Sequence, residues 1–217
     1  MRVRLPLAAL LCGAVLMFGS QSATRLQAQD GWLPLFDGKS LDGWKVGENA
    51  STFSVQDGAI VVFGPRAHLF YVGPVKNHTF KDFEWKAEIM TFPGANSGMY
   101  FHTEYQEGGW PQKGYEVQVN NSHTDPIRTG SLYGILNVMN TAPANDKEWF
   151  TQHIVVKGKT VRIAVNGKTT VEYTEPADVS RPADTKGRVL SQGTFALQGH
   201  DPKSRVHYRN IMVKPLD

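Results

Sequence analysis

Strict alternation of apolar and polar residues, interrupted by tight turns, is the feature of this sequence that most restricts its fold. In residues 83–89 every odd position is apolar and every even position is charged, which predicts a β-strand with one buried and one solvated face. Asp57-Gly58 and Asn166-Gly167 separate similar segments and favour two-residue hairpin turns. No long stretch has the 3.6-residue apolar period of a helix, and the polar residues 175–192 are predicted to form a long loop. The sequence therefore predicts an all-β sandwich or jelly roll of about twelve strands.

The N-terminal residues are predicted to be an export signal. Two arginines precede an apolar stretch at residues 5–18, which is too short to span a bilayer comfortably. Small and polar residues follow, as in secretory signal peptides. We expect cleavage after Ala28, so that residues 1–28 are the signal peptide and residues 29–217 form a single jelly-roll β-sandwich domain.

Other ways of processing this end are less favoured. Ser22 and Ala23 offer alternative cleavage points. A lipoprotein anchor on Cys12 is disfavoured, because the bulky Leu10-Leu11 precedes it where such cysteines normally follow a small residue. The mature protein is expected to be secreted or periplasmic, with no membrane span.

Removal of the signal changes the charge and the cysteine content. Residues 1–28 contain three arginines and no acid, so the 23 basic residues fall to 20, against 20 acidic residues. A chain without net charge gives no indication of nucleic-acid binding. The single cysteine, Cys12, is also lost, so neither disulfides nor thiolate chemistry are expected.

Three predicted strands carry polar side chains on one face. These are Glu116, Gln118 and Asn120 on one strand, Gln198 and His200 on a second, and Asn96, Tyr100 and His102 beside Gly98 on a third. A solvated sheet face is the simpler interpretation of any one strand. Amides, imidazoles, aromatic rings and one carboxylate together suit hydrogen bonding to hydroxyls and stacking on a sugar ring, and Gly98 is expected to let a ligand approach the backbone. The set predicts a carbohydrate site.

Two further features are open to more than one interpretation. Trp110 lies in a glycine-rich loop and is a candidate stacking platform for substrate. His123-Thr124-Asp125 could join Glu116 or His200 around a divalent cation, although a polar turn before Pro126 explains the same residues. No cofactor is predicted with certainty.

Several short motifs, in this order, resemble the 3-keto-disaccharide hydrolase family (3-keto-glucoside 1,2-lyase/3-keto-2-hydroxy-glucal hydratase domains) over residues 31–216. The motifs are Leu35-Phe36-Asp37-Gly38, Leu41-Asp42-Gly43-Trp44, Asn96-Ser97-Gly98-Met99, Gly114-Tyr115-Glu116-Val117-Gln118-Val119, Gly130-Ser131-Leu132-Tyr133-Gly134, Ala196-Leu197-Gln198-Gly199-His200 and Tyr208-Arg209-Asn210-Ile211. The resemblance implies a concanavalin A-like jelly-roll β-sandwich of two antiparallel sheets. The chain departs from the family pattern at His102, where arginine is usual, and at Asn120, where aspartate is more frequent.

The polar strand also limits the chemistry. An ordinary glycosidase needs two carboxyl groups beside the scissile bond, but this strand supplies only Glu116, followed by two amides. Elimination from a sugar oxidised at C3 needs one base, because the ketone acidifies the C2 proton; an oxyanion partner and a general acid complete the set. Water then adds to the resulting glycal, which gives net hydrolysis.

The resemblance and this chemistry together assign roles. The candidate catalytic residues are Glu116 or His200 as base or metal ligand, Arg209 as oxyanion partner, and Tyr133 or His102 as proton donor; the candidate substrate-binding residues are Asn96, Gln118, Asn120, Gln198 and Trp110. Alternatives are an ion pair between Glu116 and Arg209, and a turn cap formed by His200 with Asp201.

The expected activity is cleavage of 3-keto-glycosides, with a glycoside 3-dehydrogenase as the functional partner that supplies the oxidised sugar. A non-catalytic, lectin-like carbohydrate-binding module is the main alternative, because one fold hosts many functions. An exported scaffold subunit is a third. The sequence has no Gly-x-Ser-x-Gly motif, no phosphate-binding glycine loop and no His-Glu-x-x-His motif. It therefore does not support a serine hydrolase, a nucleotide-binding enzyme or a zinc protease.

Overall fold

The strands predicted by alternation form two antiparallel sheets in the computed structural model, which describes residues 30–217. The predicted signal peptide, its cleavage site and Cys12 lie outside the described residues. The thirteen strands are β1 (Leu33–Pro34), β2 (Trp44–Val46), β3 (Phe53–Gln56), β4 (Ala59–Phe63), β5 (Ala67–Tyr71), β6 (Phe83–Thr91), β7 (Ser97–Thr103), β8 (Tyr115–Val119), β9 (Phe150–Lys157), β10 (Thr160–Val165), β11 (Lys168–Thr174), β12 (Thr194–Gly199) and β13 (Arg205–Pro215).

The two sheets differ in size. The first has eight strands in the order β11-β10-β9-β6-β13-β4-β3, with β1 added at β13; the second has five in the order β2-β5-β12-β7-β8. Within the described part of the chain, the helical segments are 3₁₀ turns at Ala50–Thr52, Val75–His78 and Ala183–Thr185. None of them is long and apolar enough to cross a membrane. The predicted all-β jelly-roll sandwich is confirmed.

The core lies between the sheets and is built from alternate residues of the strands. On β6, Phe83, Trp85 and Ile89 are fully buried, and the indole of Trp85 stacks on Phe195 of β12 at a centroid distance of 4.3 Å. Burial of each such large apolar side chain contributes roughly 1.5–3 kcal/mol. The alternation seen in the sequence therefore decides which face of each strand points inward.

Both predicted two-residue hairpins are present. Asp57-Gly58 joins β3 to β4, and Asn166-Gly167 joins β10 to β11. All four residues have φ between 48° and 78°, as a type I′ turn requires and as Asn, Asp and Gly tolerate best. These turns fix the register of the hairpins and hence the inward faces.

The outer face of the five-stranded sheet carries the polar side chains. The register pairs His68 of β5 with Gln198 of β12, and Tyr100 of β7 with Glu116 of β8. Their neighbours Leu69, Leu197, Met99 and Val117 point into the core. Strand pairing thus gathers residues that are distant in sequence onto one surface, which the loops after β7, β8 and β11 border.

Candidate active site

A pocket of about 240 Å³ opens on the outer face of the five-stranded sheet. The pocket contains seven of the ten predicted site residues: Asn96, Trp110, Glu116, Gln118, Tyr133, Gln198 and His200. Tyr100, Pro111, Gly114 and Arg188 complete its lining. Three strands and five loops therefore contribute to one cavity.

Glu116 lies at the base of this pocket within a set of hydrogen-bond donors. The Tyr100 hydroxyl donates to Glu116 Oε2 at 2.7 Å, and Gln198 Nε2 donates to Glu116 Oε1 at 2.8 Å. With its amide turned so that nitrogen faces the acceptors, Gln118 donates to the same Oε1 at 3.3 Å. The carboxylate is fixed in position before any ligand arrives.

The surroundings of Glu116 also change its acidity. Burial disfavours the charged form and raises the pKa of Glu116 to about 7, although the hydrogen bond from Tyr100, the charge of Arg188 and the hydrogen bond from Gln198 work in the opposite direction. A carboxyl group with a pKa near 7 can both accept and donate a proton at neutral pH. Perturbation of this kind inside a pocket is typical of catalytic carboxyls.

Gly98 has a different role from the one expected. It lies opposite Gln118 in the β7–β8 register, but the space above it is filled by the Glu116 side chain and is not left for a ligand. A β-carbon at position 98 would lie 2.9 Å from Glu116 Cγ and Cδ. The glycine makes room for the carboxyl group.

His200 follows β12 and forms a pair with Asp201. Its Nδ1 lies 2.8 Å from Asp201 Oδ2. Burial acts to raise the pKa of Asp201, but hydrogen bonds from His200 and Ser204 outweigh it and lower that pKa to about 2. Because an ionised carboxylate can only accept hydrogen bonds, the proton is on His200 Nδ1, and Nε2 remains available to a ligand.

Tyr133 and Arg188 form another part of the lining. The Tyr133 hydroxyl donates to Asp125 Oδ2 at 2.9 Å, and Arg188 Nη1 donates to the Tyr133 carbonyl at 3.1 Å. Burial and the bond to Asp125 raise the pKa of Tyr133 to about 12. The phenol is therefore a weak acid, whereas Arg188 is the one arginine or lysine that lines this pocket in residues 30–217.

The prediction that Arg209 belongs to the site is wrong. Arg209 lies on β13 of the eight-stranded sheet, where its Nε donates to Glu88 Oε2 at 2.7 Å and its guanidinium packs on Trp149 at 3.9 Å. It pairs with Glu88 and not with Glu116. Arg188 supplies the pocket's positive charge instead.

Two further predicted residues do not line the pocket. His102 has a φ of 56° at the end of β7, which directs its ring away from the sheet face that carries Tyr100. Its Nε2 contacts the Lys81 carbonyl at 2.9 Å, and its Nδ1 accepts from the Ser191 amide at 3.1 Å. Both ring nitrogens are thus used in holding loops, and the prediction of a proton donor at His102 is wrong.

Asn120 is the other predicted residue that does not line the pocket. Its Nδ2 donates to the carbonyls of Asp125 and Ile127 at 2.9 and 2.8 Å, and its Oδ1 accepts from His123 and Arg128. The amide has a complete set of partners within the loop after β8. Asn120 therefore shapes that loop, and its predicted contact with substrate is wrong.

One group of side chains in the described residues has the spacing of metal ligands. Ligand atoms of His123, His200 and Asp201 lie within 4.8 Å of one another. The Asp125 amide donates to His123 Nδ1 at 3.1 Å, so the neutral His123 ring carries its proton on Nε2, facing Asp201. Since His200 Nδ1 also faces Asp201 at 2.8 Å, both imidazoles lie beside one carboxylate.

The protein is a jelly-roll β-sandwich whose five-stranded sheet carries a pocket of amides, aromatic rings, one imidazole and one carboxyl group, and lectins share this architecture. The sequence profile of the 3-keto-alpha-glucoside-1,2-lyase-like domain matches residues 31–214. The chain belongs to this family.

One curated relative agrees with that assignment, and two solved structures share the fold. The chain is 27% identical to a 3-keto-disaccharide hydrolase of Bacteroides thetaiotaomicron, with 87% of this chain and 79% of the relative aligned. A solved Parabacteroides distasonis protein, provisionally labelled a glycosyl hydrolase, shares the fold with a TM-score of 0.72 at 23% identity, covering 86% of this chain and 94% of that one. The carbohydrate-binding module CBM66 of Bacillus subtilis has a TM-score of 0.57 at 11% identity, covering 79% and 95%.

Proposed function

We propose that this protein cleaves 3-keto-glycosides by removal of the C2 proton, elimination of the aglycone from C1, and addition of water to the product. The observation that carries the proposal is Glu116, a single buried carboxyl with a pKa of about 7 in a pocket whose cation is Arg188. The curated relative named as a 3-keto-disaccharide hydrolase supports the same substrate class. Because no second carboxyl group lines the pocket in residues 30–217, the two-carboxyl mechanism of ordinary glycosidases is not favoured.

In the first step Glu116 takes the proton from C2, and the C–H electron pair moves into an enolate whose charge rests on the C3 oxygen. Arg188 stabilises this oxyanion. The enolate then restores the C3 ketone while a C1–C2 double bond forms and the C1–oxygen bond to the aglycone breaks. His200 Nε2, when protonated, gives the departing oxygen its proton, and Asp201 holds the imidazole in place.

The second half returns the enzyme to its starting state. Water adds to C1 of the 3-keto-2-hydroxyglucal, its second proton passes to His200 Nε2, and Glu116 returns its proton to C2. The sum is one glycoside and one water giving one free 3-keto sugar and one alcohol. Gln118 and Asn96 line the pocket beside Glu116 and orient hydroxyls, and Gln198 Oε1, buried and without a partner among the described residues, accepts a hydrogen bond from one.

Two further proposals accompany this function. A 3-keto substrate must come from oxidation of a sugar hydroxyl, so a glycoside 3-dehydrogenase is the enzyme expected to act before this one. The two arginines and the apolar stretch that begin the sequence indicate export, and we infer that the protein works outside the cytoplasm.

The direct test is incubation of the purified protein with a 3-keto-glucoside and with its unoxidised parent. We expect release of the aglycone and transient ultraviolet absorbance of the conjugated glycal from the keto substrate only. In deuterated water, exchange of the Glu116 proton with solvent before the second half should place deuterium at C2 of the sugar product. Saturable binding of both compounds without turnover of either would instead identify a carbohydrate-binding module.

The packing of Gly98 against Glu116 gives a prediction. Gly98→Ala should lower kcat/KM by more than tenfold, because the new methyl group displaces the carboxyl group from the donors that hold it. The backbone at this position does not have a positive φ, so the fold should tolerate alanine, as circular dichroism can check. In a Glu116→Gln background the same change should cause no further loss of activity, since the effect acts through one side chain; a full additional loss would contradict this account.

A further inference from the structure

The volume of the pocket limits how much of a substrate it can enclose. Its volume of about 240 Å³ is below the ~300–1,000 Å³ of pockets that enclose drug-sized ligands. Glu116 and Arg188 must both reach the oxidised ring, so that ring occupies the interior. The group on the other side of the glycosidic bond then lies at the pocket mouth.

Trp110 is at this mouth and is exposed to an unusual degree for its size. The side chain lines the pocket and yet keeps 44% of its surface accessible. Large apolar side chains exposed beside a pocket commonly contact a ligand. In residues 30–217 the other exposed aromatic ring of this kind, Phe63, lies on the eight-stranded sheet.

Hydrogen bonds hold the loop that carries Trp110. Gln106 Nε2 donates to the carbonyls of Gly108 and Trp110 at 2.7 and 2.9 Å, and Gln106 Oε1 accepts from the Gln112 amide at 3.1 Å. Glu48 Oε1 accepts from the Gly109 amide at 3.0 Å. An exposed ring on a fixed loop loses little conformational freedom when a ligand packs on it.

The neighbours of the indole connect it with the reaction. His68 meets it edge-on at a centroid distance of 5.6 Å, and His200 lies at 5.4 Å. Burial, with the charge of Arg66, lowers the pKa of His68 to about 3, so this ring is neutral and serves as packing. Because His200 is the proposed proton donor to the departing oxygen, the aglycone attached to that oxygen must lie beside Trp110.

We propose that Trp110 is the aglycone-binding platform of the enzyme, and that it favours leaving groups with a flat apolar face, such as an aryl ring or a second pyranose. The position of the oxidised ring inside the pocket rests on the proposed function, whereas the platform itself rests on the geometry of the mouth. The platform discriminates between substrates by their aglycone, which lies outside the pocket.

Kinetics with two aglycones test this inference. For Trp110→Ala, kcat/KM with 4-nitrophenyl 3-keto-glucoside should fall about tenfold more than with methyl 3-keto-glucoside, each compared with the wild-type enzyme so that leaving-group reactivity cancels. Tenfold corresponds to about 1.4 kcal/mol, the upper end for an aromatic contact. Trp110→Phe should keep most of the preference, and Phe63→Ala, which removes a 50% exposed ring from the other sheet, should change neither substrate. Equal losses for both substrates would overturn the proposal.

A binding measurement separates this proposal from the proposed function. Calorimetry in the Glu116→Gln background, with and without Trp110→Ala, should give tighter binding of the aryl than of the methyl 3-keto-glucoside only where the indole is present. If the wild-type protein fails to turn over either compound while this binding preference remains, the catalytic proposal fails and the platform stands. If turnover occurs but the preference does not depend on Trp110, the platform is refuted and the catalytic proposal stands.

Discussion

Replacement of Glu116 by glutamine should lower kcat/KM for a 3-keto-glucoside by roughly 10²–10⁴, the range that a positioned general base contributes. Glutamine has nearly the same shape, so Tyr100 and Gln198 keep a partner and the fold should persist. Initial rates with a chromogenic 3-keto-glucoside measure the effect. Glu88→Gln is the matched control, because that carboxylate pairs with Arg209 on the eight-stranded sheet and should leave the rate unchanged.

The same variant has a consequence for stability, because the pKa of Glu116 differs between the folded and the unfolded chain. The pKa of Glu116 rises from 4.5 in the unfolded chain to about 7 in the folded protein, so the folded state binds the proton more tightly. The stabilisation by this group is fully present below pH 4.5 and is lost as pH rises through 7. A shift of this size corresponds to about 3 kcal/mol.

The raised pKa of Glu116 can be tested by two measurements. The free energy of unfolding of Glu116→Gln relative to the wild type should increase by about 3 kcal/mol between pH 4 and pH 8, as urea titrations at several pH values can measure. The wild-type kcat/KM should fall below a pKa near 7, because the base must be ionised. Retention of turnover by Glu116→Gln would remove Glu116 from the mechanism, and a pH-independent stability difference would show that its pKa is not raised in the folded protein.

The strand residues of the site could be predicted because alternation and register are local rules. Glu116 and Gln118 follow the period of β8, and Gln198 follows that of β12, so the outward direction of each side chain can be predicted from the sequence. His102 broke the rule because alternation assumes an extended backbone, whereas its φ is 56°. Asn120 comes after the last residue of β8, where the chain has already begun to turn.

The other errors concern information that alternation does not contain. A polar position on β13 shows that Arg209 faces outward, but a sandwich has two outer faces, and the pairing of β13 with β4 and β6 places this one on the eight-stranded sheet. Arg188 lies in the loop of residues 175–192, which has no periodicity to read. Only long-range contacts, such as the bond from Arg188 to the Tyr133 carbonyl, bring it to the pocket. Tyr100 is on the predicted polar face, but only the structure shows that its hydroxyl group donates to Glu116 and holds the carboxylate in place.

The role of Arg188 leads to the second large effect. Arg188→Met should lower kcat by roughly 10²–10³, as does removal of one oxyanion donor in other enzymes, because the enolate then lacks its cation. Arg188→Lys should recover part of this loss, since the charge remains but the planar pair of donors is gone. Arg209→Met is the matched control, and it should affect packing on Trp149 without changing kcat.

The pH profile distinguishes an oxyanion partner from a residue that merely holds its loop. The charge of Arg188 lowers the pKa of Glu116, so its loss should move the acid limb of the kcat/KM profile to higher pH, and Arg188→Lys should restore the limb. Arg181 is a loop anchor whose guanidinium bonds Tyr115 and Tyr173, and Arg181→Met should lower the rate without moving the limb. An Arg188→Met enzyme with an unshifted limb and less than threefold loss of kcat would assign the oxyanion to another group.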